Sequence, residues 1–283
     1  MTRPYQYFGV VFALISAIAL GSCSSRPGAA LSAIGSLPPN SDMKPADGSR
    51  PIAKLYDKGL SDLADGEYKN AAARFEEVER QYPYSGWATR AMLMAAYCHY
   101  QRNDYAATID TAQRFISLHR GHKDVVYAYY LIALSYYEQI SDIHREQSMA
   151  RKALSVFQEV IRRFPRTPYA RQAKAKLLSV RDHLAAKDVE VGRYYLKRKA
   201  YVAAINRFKT VVSDYPATLH VPEALYRLVE AYTALGVPSQ AEEAASVLGQ
   251  RYPASSWYRD ARAILRSVGK NSAKQKSPDR QGS

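Results

Sequence analysis

Four short stretches decide the fold: "RQYPYS" (Arg80–Ser85), "RRFPRT" (Arg162–Thr167), "SDYPAT" (Ser213–Thr218) and "QRYPAS" (Gln250–Ser255). Each joins an aromatic to a proline and places a Ser or Thr two residues later. Proline lacks an N–H and clashes with the preceding turn, so it ends a helix. The hydroxyl that follows suits the N-cap of a new helix. "RTPYA" shows this most fully, with Thr167 as cap and Pro168 at the first helical position.

Working back from each stop, the same residue types recur at the same offsets. Pro83 is preceded by Val78, Phe75, Ala71, Tyr68, Gly66 and Gly59; Pro216 by Val211, Phe208, Ala204, Tyr201 and Gly192. Pro253 gives Leu248, Ala245, Ala241, Gly236 and Val229, and Pro165 gives Val160, Phe157 and Ala153. Small residues let two helices of a unit approach closely, and Phe75, Phe157 or Phe208 fills the wedge between units. The pattern resembles the tetratricopeptide repeat, a helix-turn-helix unit of about 34 residues. The fold class is therefore all-α, a solenoid of five such units.

One unit lacks the stop proline, and the spacings of two others depart from the period. The second, "NDYAATIDTAQRFISLHRGH", has Tyr105, Thr108, Ala112 and Phe115 in register but Arg120 at the stop, so Gly121 is expected to end that helix. The third carries an insertion, "EQISDIHREQSMARK" (Glu138–Lys152), and a long turn is expected there. From Pro165 to Pro216 there are 51 residues, more than one repeat, with no breaker except Gly192. Ala170, Ala173, Leu177, Val180 and Leu184 fall on one face, which predicts an unusually long helix dividing the solenoid into halves.

The chain starts "MTRPYQYFGVVFALISAIALGSC", with a basic Arg3, an apolar run from Phe8 to Leu20 and small residues before Cys23. The run is too short to span a bilayer comfortably, and it reads as a signal peptide over residues 1–22. Leu20-Gly21-Ser22-Cys23 resembles the bacterial lipobox, in which the cysteine thiol receives a diacylglycerol and the new amine is usually acylated. Cys23 is thus the expected lipid anchor, with an unmodified cysteine after an ordinary secretory signal as the alternative. Ser24, rather than aspartate, points by the lipoprotein sorting rule to the outer membrane. Residues 23–51, rich in Ser, Pro, Gly and Ala, read as a lipidated flexible tether. The solenoid occupies 52–268, and 269–283 reads as a basic disordered tail.

The formal charge of +14, from 40 Lys and Arg against 26 Asp and Glu, favours acidic partners. Export points away from nucleic acid and leaves membrane surfaces and acidic protein faces. Cys98 has no disulfide partner in a mature chain and is expected to be a core thiol. His119 and His122 are three apart, but only Asp124 lies near them, so a solvated turn is the plainer reading than a metal site. No phosphate-cradling loop, nucleophile turn or HExxH motif is present. The sequence implies no enzyme, no cofactor and no metal. Most of the 23 tyrosines suit the core between helices. Some instead suit a concave groove that holds peptide segments, and Tyr68, Tyr97, Tyr100 and Arg102 in the first repeats are the candidates, chosen by position. Lys197, Arg198 and Lys199, just before a turn, are either solvated or a docking knob for an acidic partner.

With signal, tether and repeats together, the chain resembles the BamD family of outer-membrane β-barrel assembly (BAM) lipoproteins. The matching stretches include "LYDKGLSDLADGEY" (Leu55–Tyr68), "VVYAYYLIALSYY", "FQEVIRRFPRTPYA" and "LAAKDVEVGRYYLKRKAYVAAINRFKTVVSDYPAT". Both irregularities, the insertion and the long fourth unit, are shared. The resemblance implies a non-enzymatic scaffold on the periplasmic face of the outer membrane. Its C-terminal repeats would bind a POTRA domain of the central barrel subunit, with Arg198 at a family arginine for that contact. Its N-terminal repeats would receive targeting segments of unfolded outer-membrane proteins, beside other BAM lipoproteins. Arg120 and Gln172 depart from the family's usual proline and aspartate. A periplasmic tetratricopeptide scaffold coordinating cell-wall synthesis with envelope constriction is the alternative, but it commonly adds a trimerising coiled coil that this sequence lacks.

Overall fold

A computed structural model describes residues 50–275, with side chains from 51 to 267. The signal peptide, Cys23, nearly all of the tether and the tail from residue 276 lie outside the described residues. Eleven helices and no strand occur among those described: α1 (Arg50–Ala64), α2 (Tyr68–Gln81), α3 (Gly86–Gln101), α4 (Tyr105–Leu118), α5 (Val125–Glu138), α6 (Ser148–Arg163), α7 (Pro168–Lys197), α8 (Tyr201–Asp214), α9 (Val221–Ala234), α10 (Pro238–Arg251) and α11 (Ser256–Gln275). Consecutive helices form five hairpins, α1/α2 to α9/α10, and α11 packs on the last. The first helices of successive units also pack in order, from α1 to α11, whereas the backbones of the second helices stand further apart, with α2 and α4 bridged by the side-chain pair of Glu79 and Arg114. The chain is therefore the tetratricopeptide solenoid that the repeat predicts.

The stops work as the sequence indicates, with one addition. Tyr82, Phe164, Tyr215 and Tyr252, each just before the proline, cap α2, α6, α8 and α10 with φ of −135°, −129°, −125° and −136°. Each donates its N–H to the carbonyl four residues back. The residue before proline is driven from the helical region toward extended values, and the helix ends there. In the second unit His119 caps α4 in the same way, with φ −128° and its N–H on Phe115 O. Gly121 is thus not the stop: it lies two residues past the cap and its φ is not positive.

The restart is equally local. Ser85 Oγ donates to Tyr82 O at 2.7 Å and accepts from Ala88 N at 3.0 Å. Thr167 Oγ1 repeats this with Phe164 O (2.8 Å) and Ala170 N (3.2 Å). Thr218 does not cap as expected, because its hydroxyl only donates back to Tyr215 O and α9 begins later, behind His220.

Inside four of the units the turn between the helices is one motif used repeatedly. Gly66, Asn103, Lys199 and Gly236 all have φ between 61° and 78°. Each donates its N–H three residues back, and the next residue donates five back, as Glu67 N to Asp62 O and Ala200 N to Tyr195 O. This is the Schellman C-cap, which satisfies otherwise orphaned carbonyls and needs a left-handed residue. The third unit replaces it with the insertion. There the amide of Gln147, only 5% exposed, donates to Arg145 O (2.8 Å) and Asp142 O (3.2 Å). Its oxygen meets His183 Nε2 of α7 at 2.6 Å. Burial lowers the pKa of His183; its N–H can donate to that amide oxygen without carrying a charge.

The predicted long helix is α7, with 30 residues. Ala173, Leu177, Val180 and Leu184 belong to the core built with α5 and α6; Ala185 and Val189 belong to the core built with α8, α9 and α10. The division between halves therefore falls within one continuous helix. At the far end, α11 runs on to Gln275, past the Val268 boundary. "NSAKQ" is made mostly of good helix formers, and Gly269 alone does not stop it.

Within a unit, an aromatic ring lies over a position that has no side chain. A Cβ placed on Gly192 would stand 2.5 Å from the Phe208 ring, and one on Gly59 2.9 Å from Phe75. Phe75, Phe157 and Phe208 are fully buried, each worth about 1.5–3 kcal/mol of transfer free energy. Gly192→Ala is expected to cost about 1–3 kcal/mol by overpacking, with Phe208→Leu restoring part of the loss in the double variant. Gly121→Ala, whose new carbon would meet nothing within 4 Å, should stay within about 0.5 kcal/mol. Denaturant unfolding of the three variants checks this.

Candidate partner-binding surface

An exposed cationic turn lies where α7 gives way to α8. Lys197 ends α7, Arg198 is the cap and Lys199 takes the left-handed position with φ 61°. The equivalent turns place Gly66, Asn103 and Gly236 there, residues that adopt this geometry readily. A lysine costs about 1–2 kcal/mol by clash of its Cβ with the following carbonyl. All three cations are exposed, and no carboxylate pairs with them among the described residues. The Arg198 guanidinium instead stacks over the Tyr194 ring, 4.5 Å from its centroid, which holds its direction.

Apolar surface borders this turn. Tyr194 is 51% exposed, Val202 64% and Leu235 41%. Lys199, Tyr201, Val202, Asn206 and Leu235 surround an open hollow of about 540 Å³. Beneath it, Arg193 makes a bidentate pair with the buried Glu223 of α9, at 2.7 and 2.5 Å. That pair locks the end of α7 to the next unit, so the basic turn projects from a fixed base. The hydrogen bond to Glu223 raises the Arg193 pKa, outweighing the partial burial that alone would lower it.

The candidates of the first repeats are not all surface residues. Tyr100 and Arg102 lie at the turn between α3 and α4, structurally equivalent to Leu196 and Arg198. Tyr100 is half-buried, with its hydroxyl 3.4 Å from Glu138 Oε1, and burial pushes its phenol up. Arg102 is exposed and caps α3 with its backbone N–H. Tyr68, half-buried, starts α2. Tyr97 is a correction: it is 1% exposed and its phenol is pushed up to about 12 by burial, so it is core and not a groove contact. The reason is that α3 is covered on both sides, with nearly every residue from Trp87 to His99 buried.

Other expectations are placed as follows. Cys98 is fully buried and burial pushes its thiol up to about 12. His119 and His122 pack on Phe115, with ring centroids 5.1 and 5.5 Å from it. Among the described residues no group of three His, Cys, Asp or Glu is placed to hold a metal ion, and no helix is long and apolar enough to cross a membrane. Sequence reasoning missed the apolar border of Val202 and Leu235, since an exposed valine or leucine looks like any core residue in the chain.

A stack of helical hairpins with an exposed, unpaired cationic turn defines a tetratricopeptide scaffold. The sequence comparisons narrow this further: the family YfiO, described as outer membrane lipoprotein, matches residues 49–248, and the chain belongs to it. A relative in Caulobacter vibrioides, an outer membrane protein assembly factor BamD, is 44% identical over 220 residues, covering 78% of this chain and 72% of that protein. Proteins of the same description in Rickettsia prowazekii (43%, 77% and 86% covered) and Neisseria meningitidis serogroup A (31%, 72% and 80%) match similarly.

Lys199→Gly is expected to raise stability by about 1 kcal/mol, by relieving the left-handed strain. A higher urea midpoint with an unchanged slope is the result that supports this; an unchanged midpoint counts against the strain.

Proposed function

We propose that this chain is a non-enzymatic scaffold subunit of outer-membrane β-barrel assembly. Cys23 carries the lipid that holds it to the outer membrane, with the solenoid on the periplasmic side. The Lys197-Arg198-Lys199 turn docks an acidic face of the POTRA domain nearest the barrel in the central subunit. The first repeats, around Tyr68, Tyr100 and Arg102, receive targeting segments of unfolded barrel proteins, with other lipoproteins of the machinery as neighbours.

The observation that carries this reading is the unpaired turn itself. Three cations stand together with no carboxylate partner among the described residues, on a base fixed by the Arg193–Glu223 pair, and one of them sits in a strained backbone geometry that glycine would relieve. Strain of this kind persists where the surrounding structure over-determines it, and it clusters at functional sites. Family membership supports the setting, and the relatives named above are assembly factors by description.

Arg198→Glu is expected to weaken binding of an isolated POTRA domain at least tenfold, with helicity unchanged by circular dichroism. The remaining affinity should depend less steeply on salt, as a surface charge contact predicts. Unchanged affinity with the fold intact would remove the turn from the interface.

A further inference from the structure

A second surface lies apart from the basic turn, between the second helices of units two and three. Because the backbones of α4 and α6 stand apart, the first helix between them, α5, is left as the floor of a cleft of about 520 Å³. The floor is a stripe on one face of α5: Val125, Tyr129, Ile132 and Tyr136. At about 1.5 Å per residue this stripe is about 17 Å long, the reach of about five residues of extended chain.

Its chemistry is mixed. Ile116 and Val156 form apolar walls, while Gln113 and Tyr136 bring polar groups that have no hydrogen-bond partner among the described residues. An extended polypeptide exposes an N–H and a C=O at every residue and needs such partners, whereas a helix satisfies its own. The rim is cationic. Arg120, at the stop position where the other four units carry proline, pairs with no carboxylate among the described residues. Lys152 lies over the Tyr136 ring at 5.4 Å. The only acid lining the cleft, Glu159, is taken by Arg163 at 3.0 Å, and Arg163 also stacks on Tyr129.

We infer that this cleft binds a short extended polypeptide segment that carries apolar side chains together with carboxylates. The apolar groups lie against Tyr129, Tyr136, Ile116 and Val156, Gln113 and Tyr136 meet the backbone, and Arg120 and Lys152 face the acids. The site is independent of the unit-four turn and does not rest on the POTRA reading.

The test is fluorescence anisotropy of the full chain with a labelled five-residue peptide alternating Leu or Phe with Asp, against the same peptide with Lys for Asp and against a stapled helix of the acidic composition. The acidic extended peptide should bind, and Tyr136→Ala and Arg120→Glu should each weaken it at least fivefold, while Arg198→Glu should leave it unchanged. Arg120 is an exposed turn residue, so its variant tests the site without endangering the core. No binding at millimolar peptide, equal binding of the Lys peptide, tighter binding of the stapled helix, or indifference to both cleft variants would each overturn the inference. If Arg198→Glu alone weakens it, the segment sits at the other surface and this assignment is wrong.

Discussion

The distance between the two helices of a unit governs the rest of the molecule, and in units one and four a ring lying on bare backbone sets it. Phe75 over Gly59 and Phe208 over Gly192 bring the helices closer than any side chain would allow. Tyr258 of α11 uses the same device against Gly249 of α10. Close approach fixes where the left-handed turn must fall. That in turn fixes which residues stand at the turn edge, where Arg102 and Arg198 occupy equivalent caps. The surfaces available to partners are thus by-products of how the hairpins close.

What could be read from the chain was whatever depends on near neighbours. Stops, caps and small-residue offsets follow from sterics within a few residues, so units, the long helix and most helix ends were legible. Gly121 misled because the sequence draws the eye to a breaker, while His119 closes the helix with the same i to i−4 bond used by the aromatics before proline. Thr218 misled because a hydroxyl in the right place does not fix where the next helix begins. Tyr97 was misplaced for a different reason. A helix covered on both sides has no polar face from which to take its phase, and α3 is of this kind. The cleft beside Tyr129 is assembled from three helices of two units, and no local spacing announces it.

Strain and pairing also divide the surface by role. Most cations that cross between helices are spoken for: Arg114 by Glu79, Arg193 by Glu223, Arg207 by Asp188. The turns also carry cations with no carboxylate partner among the described residues: Arg102, Arg120, Arg198 and Lys199. Exposed pairs are worth little individually, so turns can hold unpaired charge at small cost to the fold.

The thirty residues of α7 belong to both cores at once. At about 1.5 Å per residue that is a rod about 45 Å long, and its only glycine is pinned beneath Phe208. Anything gripped beside one half is therefore held at a set spacing and bearing from anything gripped beside the other. Two guests seated together would meet at a local concentration dictated by solid geometry instead of by a wandering linker. The molecule in this sense works as a measuring stick, and shortening or hinging that one rod would change what it measures without touching either grip.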